Sequence, residues 1–219
     1  MATWAPAKKD ALEALAAEIL HSYRRGRTIV AVDGVDGAGM TRFADDLAVA
    51  IRDAGADVFR ASLDSFHRPR ALSYARGRDS AEGYYRDSFD YSVLRRVLLE
   101  PFRLAGSAAF VTAAFDVARD AAVAPRWITG PADAMLVIDG VFLHRPELRG
   151  LWNYSIWLDV PTDVAVARLE ERDGASDPTT RYTGGQALYL AEADPRAAAD
   201  AIIDNSDPDH PRRVFEDSC

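Results

Sequence analysis

Apolar residues in this chain gather into short runs, separated by stretches with helical spacing. Five runs predict strands. Residues 28–32 (TIVAV) and 134–138 (AMLVI) are apolar almost throughout, as strands buried on both faces are. Residues 57–62 (DVFRAS), 154–160 (YSIWLDV, closed by Pro161) and 201–204 (AIID) complete the set. Between them, 41–54 carries Phe43, Leu47, Ala50 and Ile51 at close to helical spacing. Helices are also predicted over 91–99, 162–172, 185–193 and 195–200, and over 1–24 ahead of the first strand. Asp163 stands near the start of its helix, where the dipole favours an acid. Residues 108–123 alternate weakly and predict a β-hairpin, whereas 68–90 and 174–185 are polar and read as loops. Strands alternating with helices imply a parallel sheet with right-handed crossovers. In such sheets ligands bind beyond the carboxyl ends of the strands.

The turn after the first strand carries the sharpest chemical signal. Residues 34–41 read GVDGAGMT. A phosphate loop has the pattern G-x-x-x-x-G-K-[ST]. Gly34, Gly39 and Thr41 fit it, and Met40 stands where the lysine belongs. Asp36, Gly37 and Ala38 complete a loop whose amides can converge on an anion at a helix N-terminus. Thr41 offers a hydroxyl to Mg²⁺. Arg42 follows at once, but one helical residue turns its side chain about 100° away from position 40.

Composition narrows the partners. With 219 residues the chain suffices for one α/β domain spanning 1–219, with the helix and lid region at 162–185. The net charge of −8, without any lysine- or arginine-rich run, argues against nucleic acid and for a small phosphorylated ligand held by local positive charge. The single cysteine, Cys219, cannot form an intrachain disulfide, which fits a cytoplasmic protein. No apolar run approaches the roughly 20 residues that span a bilayer, and the first 20 residues lack the features of a secretory signal.

Two acids follow strands. Asp64 lies in LDSFHRP and Asp139 in VIDGVFL. One such carboxylate can ligate Mg²⁺ with Thr41, and the other can take the proton of an acceptor hydroxyl. Asp139 is read as the metal-side acid and Asp64 as the base. Each taken alone is equally a strand-end cap. Arg168 and Arg172 share a helix face at i, i+4, and Arg181 follows across the polar segment. Arginines placed so can neutralise charge on a phosphoryl group in transfer, unless they pair with Glu170, Glu171 or Asp173 on a solvated face. His67 and Arg68 stand near enough to Asp64 to meet a substrate, and the rings of Phe66, Tyr84, Tyr85 and Phe89 are candidates to stack on a flat one.

These segments resemble the uridine kinase / phosphoribulokinase type of P-loop kinase. The resemblance rests on GVDGAGMT, LDSFHRP, VIDGVFL, the RLEER segment with Arg181, RYTGGQALYLAEADP and IIDNSDP, and covers residues 25–210. It implies a three-layer P-loop kinase fold: a five-stranded parallel sheet in order 2-3-1-4-5 flanked by helices, with a lid and a small β-hairpin insertion. It implies ATP-Mg²⁺ as donor and a small hydroxylated acceptor. It further implies Asp64 as base, Arg168, Arg172 and Arg181 as phosphate or lid residues, and Asn205 near the adenine side. Uridine kinases carry a Y-D-x-x-x-H segment that helps to bind the nucleoside. Here residues 115–120 read FDVARD, so Asp116 matches and the histidine is absent. Substrate contacts of that kind set specificity, so the acceptor is left open between nucleoside, sugar and vitamin precursor. Three readings follow: a small-molecule kinase, a catalytically silent nucleotide binder suggested by Met40, and a water-hydrolysing NTPase, for which no switch segment is recognisable.

Overall fold

The computed structural model describes residues 7–23, 25–173 and 180–215. The elements run α1 Lys8–Ser22, β1 Thr28–Gly34, α2 Met40–Asp53, β2 Val58–Ser62, α3 Arg70–Ser73, α4 Ala81–Asp87 and α5 Tyr91–Leu94. A π-turn continues α5 into α6 Glu100–Leu104. There follow β3 Phe115–Asp116, β4 Ala121–Ala122, β5 Met135–Asp139, β6 Tyr154–Asp159, α7 Thr162–Asp173, α8 Thr180–Ala193, α9 Pro195–Ala198, β7 Ala201–Asp204 and β8 Arg212–Val214.

The main sheet has the order β2-β5-β1-β6-β7-β8. Counting its parallel strands in chain order, this is the expected 2-3-1-4-5, because the hairpin takes the labels β3 and β4. The sixth strand, β8, runs antiparallel to β7 and was not legible as a strand: it is three residues long and reads RRV. Every residue of β1 is buried, and alternate side chains feed two cores. Ile29 and Ala31 join Leu136, Ile138 and Trp157 on one face. Val30 and Val32 join Met135, Val137, Ile156 and Leu158 on the other, against α1 and α2. Helix α2 turns Phe43, Ala44, Leu47, Ala48 and Ile51 into that second core. Each buried Val, Leu, Ile, Met or Phe among them contributes about 1.5–3 kcal/mol. The layering is therefore written in the alternation along the strands.

Three expected segments differ in the structure. The polar stretch 68–90 is not a plain loop but contains α3 and α4. Helix α4 starts where Ser80 Oγ accepts from the Gly83 amide at 3.0 Å, and its seven residues are too short to print a period. The segment 180–185, expected as loop, is the first part of α8. Residues 174–179 and Cys219 lie outside the described residues. The hairpin over 108–123 reduces to two residues on each strand.

Register levels the strand ends that carry chemistry. Asp139 pairs with Val32 of β1 and with Ser62 of β2. The phosphate loop, Asp139 and Asp64 thus emerge side by side at the carboxyl edge of the sheet.

Candidate active site

The loop between β1 and α2 is held from outside by α7 and by the segment after β7. Gly37 and Gly39 take φ values of +85° and +86°, in the left-handed region that favours glycine. A Cβ at Gly37 would lie 2.2 Å from the Ala165 carbonyl oxygen, so α7 can press on the loop only because the side chain is absent. Arg168 on α7 donates to the carbonyls of Gly37 (3.3 Å), Asn205 (2.9 Å) and Ser206 (2.8 Å). Buried Asn205 donates through Nδ2 to the Ala38 carbonyl at 2.7 Å. Loop carbonyls are tied back in this way, while the first turn of α2 presents amides that no helical carbonyl takes. Met40 is partly buried and packs against both cores while also bordering the cleft.

A cleft of about 600 Å³ opens over this loop. It is lined by Thr41, Asp64, Asp139, Arg168 and Arg172, and also by His67, Arg68, Tyr74, Tyr84, Arg181 and Tyr182. Thr41 Oγ1 donates to Asp139 Oδ2 at 2.7 Å. The other oxygen of Asp139 accepts from Arg60 Nη2 at 2.7 Å, and Arg60 also pairs with Asp45. Thr41 and Asp139 Oδ2 therefore form an adjacent oxygen pair of the kind Mg²⁺ uses alongside waters and phosphates. Arg60 was not singled out in the sequence, where it reads only as a charged residue inside a strand.

Asp64 touches the solvent of the cleft yet lies within the mass of the protein. Desolvation, then the like charges of Asp139 and Asp36, raise its pKa to about 6, against an opposing pull from Arg172. His67 packs its ring 4.5 Å from that of Phe89. Burial, then Arg181, lowers its pKa to about 4, so it is neutral at physiological pH.

Some expected site residues take other roles. Arg181 is buried and donates to Ser73 O and Oγ, Ser88 Oγ, Arg78 O and Ser80 O, with its guanidinium 4.6 Å from the Tyr74 ring. It borders the cleft but locks α8 onto α3 and α4, the opposite of a swinging lid arginine. Arg42 borders the cleft while its side chain reaches Asp209 at 3.3 Å. Tyr85 is fully buried away from the cleft, stacked under Arg145 at 4.8 Å. Its neighbour Tyr84 faces the cleft instead. Asp116 caps its own hairpin by accepting from the Arg119 amide at 3.1 Å. Phe115, Val117 and Asp120 are the hairpin residues on the cleft. Arg68 lines it, as does Phe89, whereas Phe66 is core.

The phosphate loop, the parallel sheet in its expected order and the acids at the strand ends define an α/β P-loop fold of the kinase type. Among solved structures, the chain is similar to a "possible uridine kinase" from Bacillus stearothermophilus, with TM-score 0.72 and 24% identity over 89% of this chain and 97% of that one. It is similar to a "putative fructose transport system kinase" from Silicibacter sp., with TM-score 0.65 and 28% identity over 86% of this chain and 94% of that one. A D-glycerate 3-kinase from Cryptococcus neoformans shares the fold at TM-score 0.54 and 11% identity, over 86% and 87% of the two chains. No protein-family model and no curated protein matches the sequence. The chain has the uridine kinase-like fold that its motifs resemble, and no helix among the described residues is long and apolar enough to cross a membrane.

Proposed function

We propose that the chain is an ATP-Mg²⁺-dependent kinase that phosphorylates a hydroxyl of a small nucleoside-like or sugar-like acceptor in the cytoplasm. The observation that carries this reading is Asp64, a carboxylate with its pKa raised to about 6, in the same cleft as the phosphate loop. A general base works best when its pKa lies near the operating pH. Asp64 takes the proton of the acceptor hydroxyl, the freed oxygen pair forms the new bond to the γ-phosphorus, and the bond to the β,γ-bridging oxygen breaks with its electrons leaving on ADP. Thr41 and Asp139 would hold Mg²⁺, which would supply charge neutralisation at the phosphates. Arg172 lines the same cleft and acts electrostatically on Asp64, which supports reading it as a cation for the transferred group. Arg168 and Asn205 keep the loop in shape by holding its carbonyls.

Met40 favours a second reading, a nucleotide binder without turnover. Its thioether packs on apolar side chains and brings neither charge nor N–H to the phosphates. Losing one preorganised donor costs on the order of 10²–10³ in rate. Met40→Lys is therefore expected to raise transfer at least tenfold, measured as ADP release with a panel of nucleosides, sugars and pantothenate-like alcohols. Binding of ATP-Mg²⁺ without gain on any acceptor would decide for the silent binder.

A further inference from the structure

Both oxygens of buried Asp139 are engaged from one helix. Oδ2 accepts at 2.7 Å from the hydroxyl of Thr41, in the first turn of α2. Oδ1 accepts at 2.7 Å from Arg60 Nη2. Arg60 Nε in turn pairs at 2.9 Å with Asp45, which stands at i+4 from Thr41 on the same face of α2. Arg60 Nη1 donates to the carbonyls of Ala61 (2.9 Å) and Val137 (2.7 Å). Register explains the meeting. Arg60 pairs with Val137 and Ser62 with Asp139, so the side-chain period of two puts Arg60 and Asp139 on one face of the sheet. Strand β2 is an edge strand, where a charge ordinarily only blunts the edge. Arg60 is instead turned inward, with 19% of its side chain exposed. These bonds make the two oxygens of Asp139 unequal. Oδ2 stands beside the Thr41 hydroxyl, whereas Oδ1 lies against a cation that repels a second one. Mg²⁺ keeps near-octahedral geometry with several waters, and one oxygen per carboxylate satisfies it. Ca²⁺ takes about six to eight oxygens and readily uses both from one carboxylate.

We infer that Arg60 is a positioning residue that limits Asp139 to a single metal-facing oxygen and thereby sets the preference of the cleft for Mg²⁺ over Ca²⁺. This assignment rests on the reading of Thr41 and Asp139 as the metal pair, and adds to it the basis of ion choice. Arg60 acts through Asp139. Without its guanidinium both carboxylate oxygens are open to one ion, which favours Ca²⁺ more than Mg²⁺. Discrimination between the two ions, rather than affinity for either, is thus the signature of Arg60.

The test measures ATP binding to the full chain by calorimetry, at saturating Mg²⁺ and at saturating Ca²⁺, and reads the ratio of the two Kd values. The native chain is expected to bind ATP-Mg²⁺ at least about fivefold more tightly than ATP-Ca²⁺. Arg60→Met keeps the length of the side chain and removes its charge and donors. It is expected to lower the ratio at least about threefold. A merely structural role would weaken both complexes alike and leave the ratio in place. Asp45 is 62% exposed, so Asp45→Asn keeps the fold and only slackens Arg60. Its ratio should fall about twofold, as fits the loss of a surface ion pair. An unchanged ratio in Arg60→Met overturns the inference, as does an unchanged ratio in Asp45→Asn where Arg60→Met does not fold. Equal affinity of the native chain for the two complexes also overturns it, and leaves the phosphate loop and Asp64 standing. Failure to bind ATP with either ion would instead sink the phosphate-loop reading, and the inference with it.

Discussion

Asp64 shows how one residue ties chemistry to stability. Its pKa is raised to about 6 from an ordinary 3.8, so the folded state holds the proton more tightly than the unfolded chain does. A raised carboxyl pKa leaves stability intact at low pH and removes it as pH climbs through the interval from about 4 to 6. Asp64→Asn should therefore leave thermal stability unchanged near pH 4 and raise it near pH 8. After discounting for the residue's contact with solvent, the gain is on the order of 1 kcal/mol, or about 2–4 °C in Tm for a chain of this length. The same variant should abolish transfer and leave ATP affinity in place. In the Met40→Lys background, transfer should rise with pH through about 6 as the base ionises. His67 adds no second limb above pH 5, because its pKa lies near 4. Equal thermal stability of the variant and the native chain at pH 8, or a pH–rate limb that survives the substitution, would remove Asp64 from this role.

Helix α8 carries the argument at the scale of elements. Its opening RYTGG reads as loop, since glycine is a poor helix former, and that reading fails because packing decides here. A Cβ at Gly184 would lie 2.7 Å from Ala81 Cβ, and one at Gly185 would lie 2.7 Å from Tyr84 Cδ1 and 3.1 Å from the Ala81 carbonyl. The glycines let α8 lie directly on α4, and that contact brings Gln186 and Tyr84 together on Asp36. Gly185→Ala should cost about 1–3 kcal/mol by overpacking, read by urea denaturation. A neutral substitution would mean that the two helices are not closely seated. The contrast with the strands explains what the sequence disclosed. Runs such as TIVAV and AMLVI announce themselves because both faces are buried, and GVDGAGMT because its chemistry is local. Asp36 and Tyr84 are 48 residues apart, and Asp36 and Gln186 are 150 apart. No local pattern encodes such contacts. Arg181 likewise reads as one more lid cation until its serine and carbonyl partners appear.

Across the whole molecule, the phosphate loop is where the layers meet. Asp33, fully buried just before it, accepts from the Gly34 amide (2.8 Å), the His144 amide (2.9 Å) and the Tyr189 hydroxyl of α8, and pairs with His144 Nδ1 at 2.7 Å. With Arg168 and Asn205 fixing the loop's carbonyls, four separate stretches of chain converge on the loop and the residue before it. A ligand seated there should therefore stabilise the fold as a unit rather than a single flap. At a hundredfold excess over Kd, nucleotide binding contributes about 2.7 kcal/mol, which corresponds to roughly 5–11 °C in Tm at this chain length. Differential scanning fluorimetry with ATP-Mg²⁺ should show that rise as one cooperative transition. The rise should be larger in Met40→Lys at equal nucleotide, because a lysine facing the phosphates lowers the Kd of the folded chain for ATP-Mg²⁺. A shift present in Met40→Lys and absent in the native chain would locate the whole defect in binding. Equal shifts in both would locate it in transfer. No shift in either at millimolar ATP-Mg²⁺ would refute the phosphate loop itself.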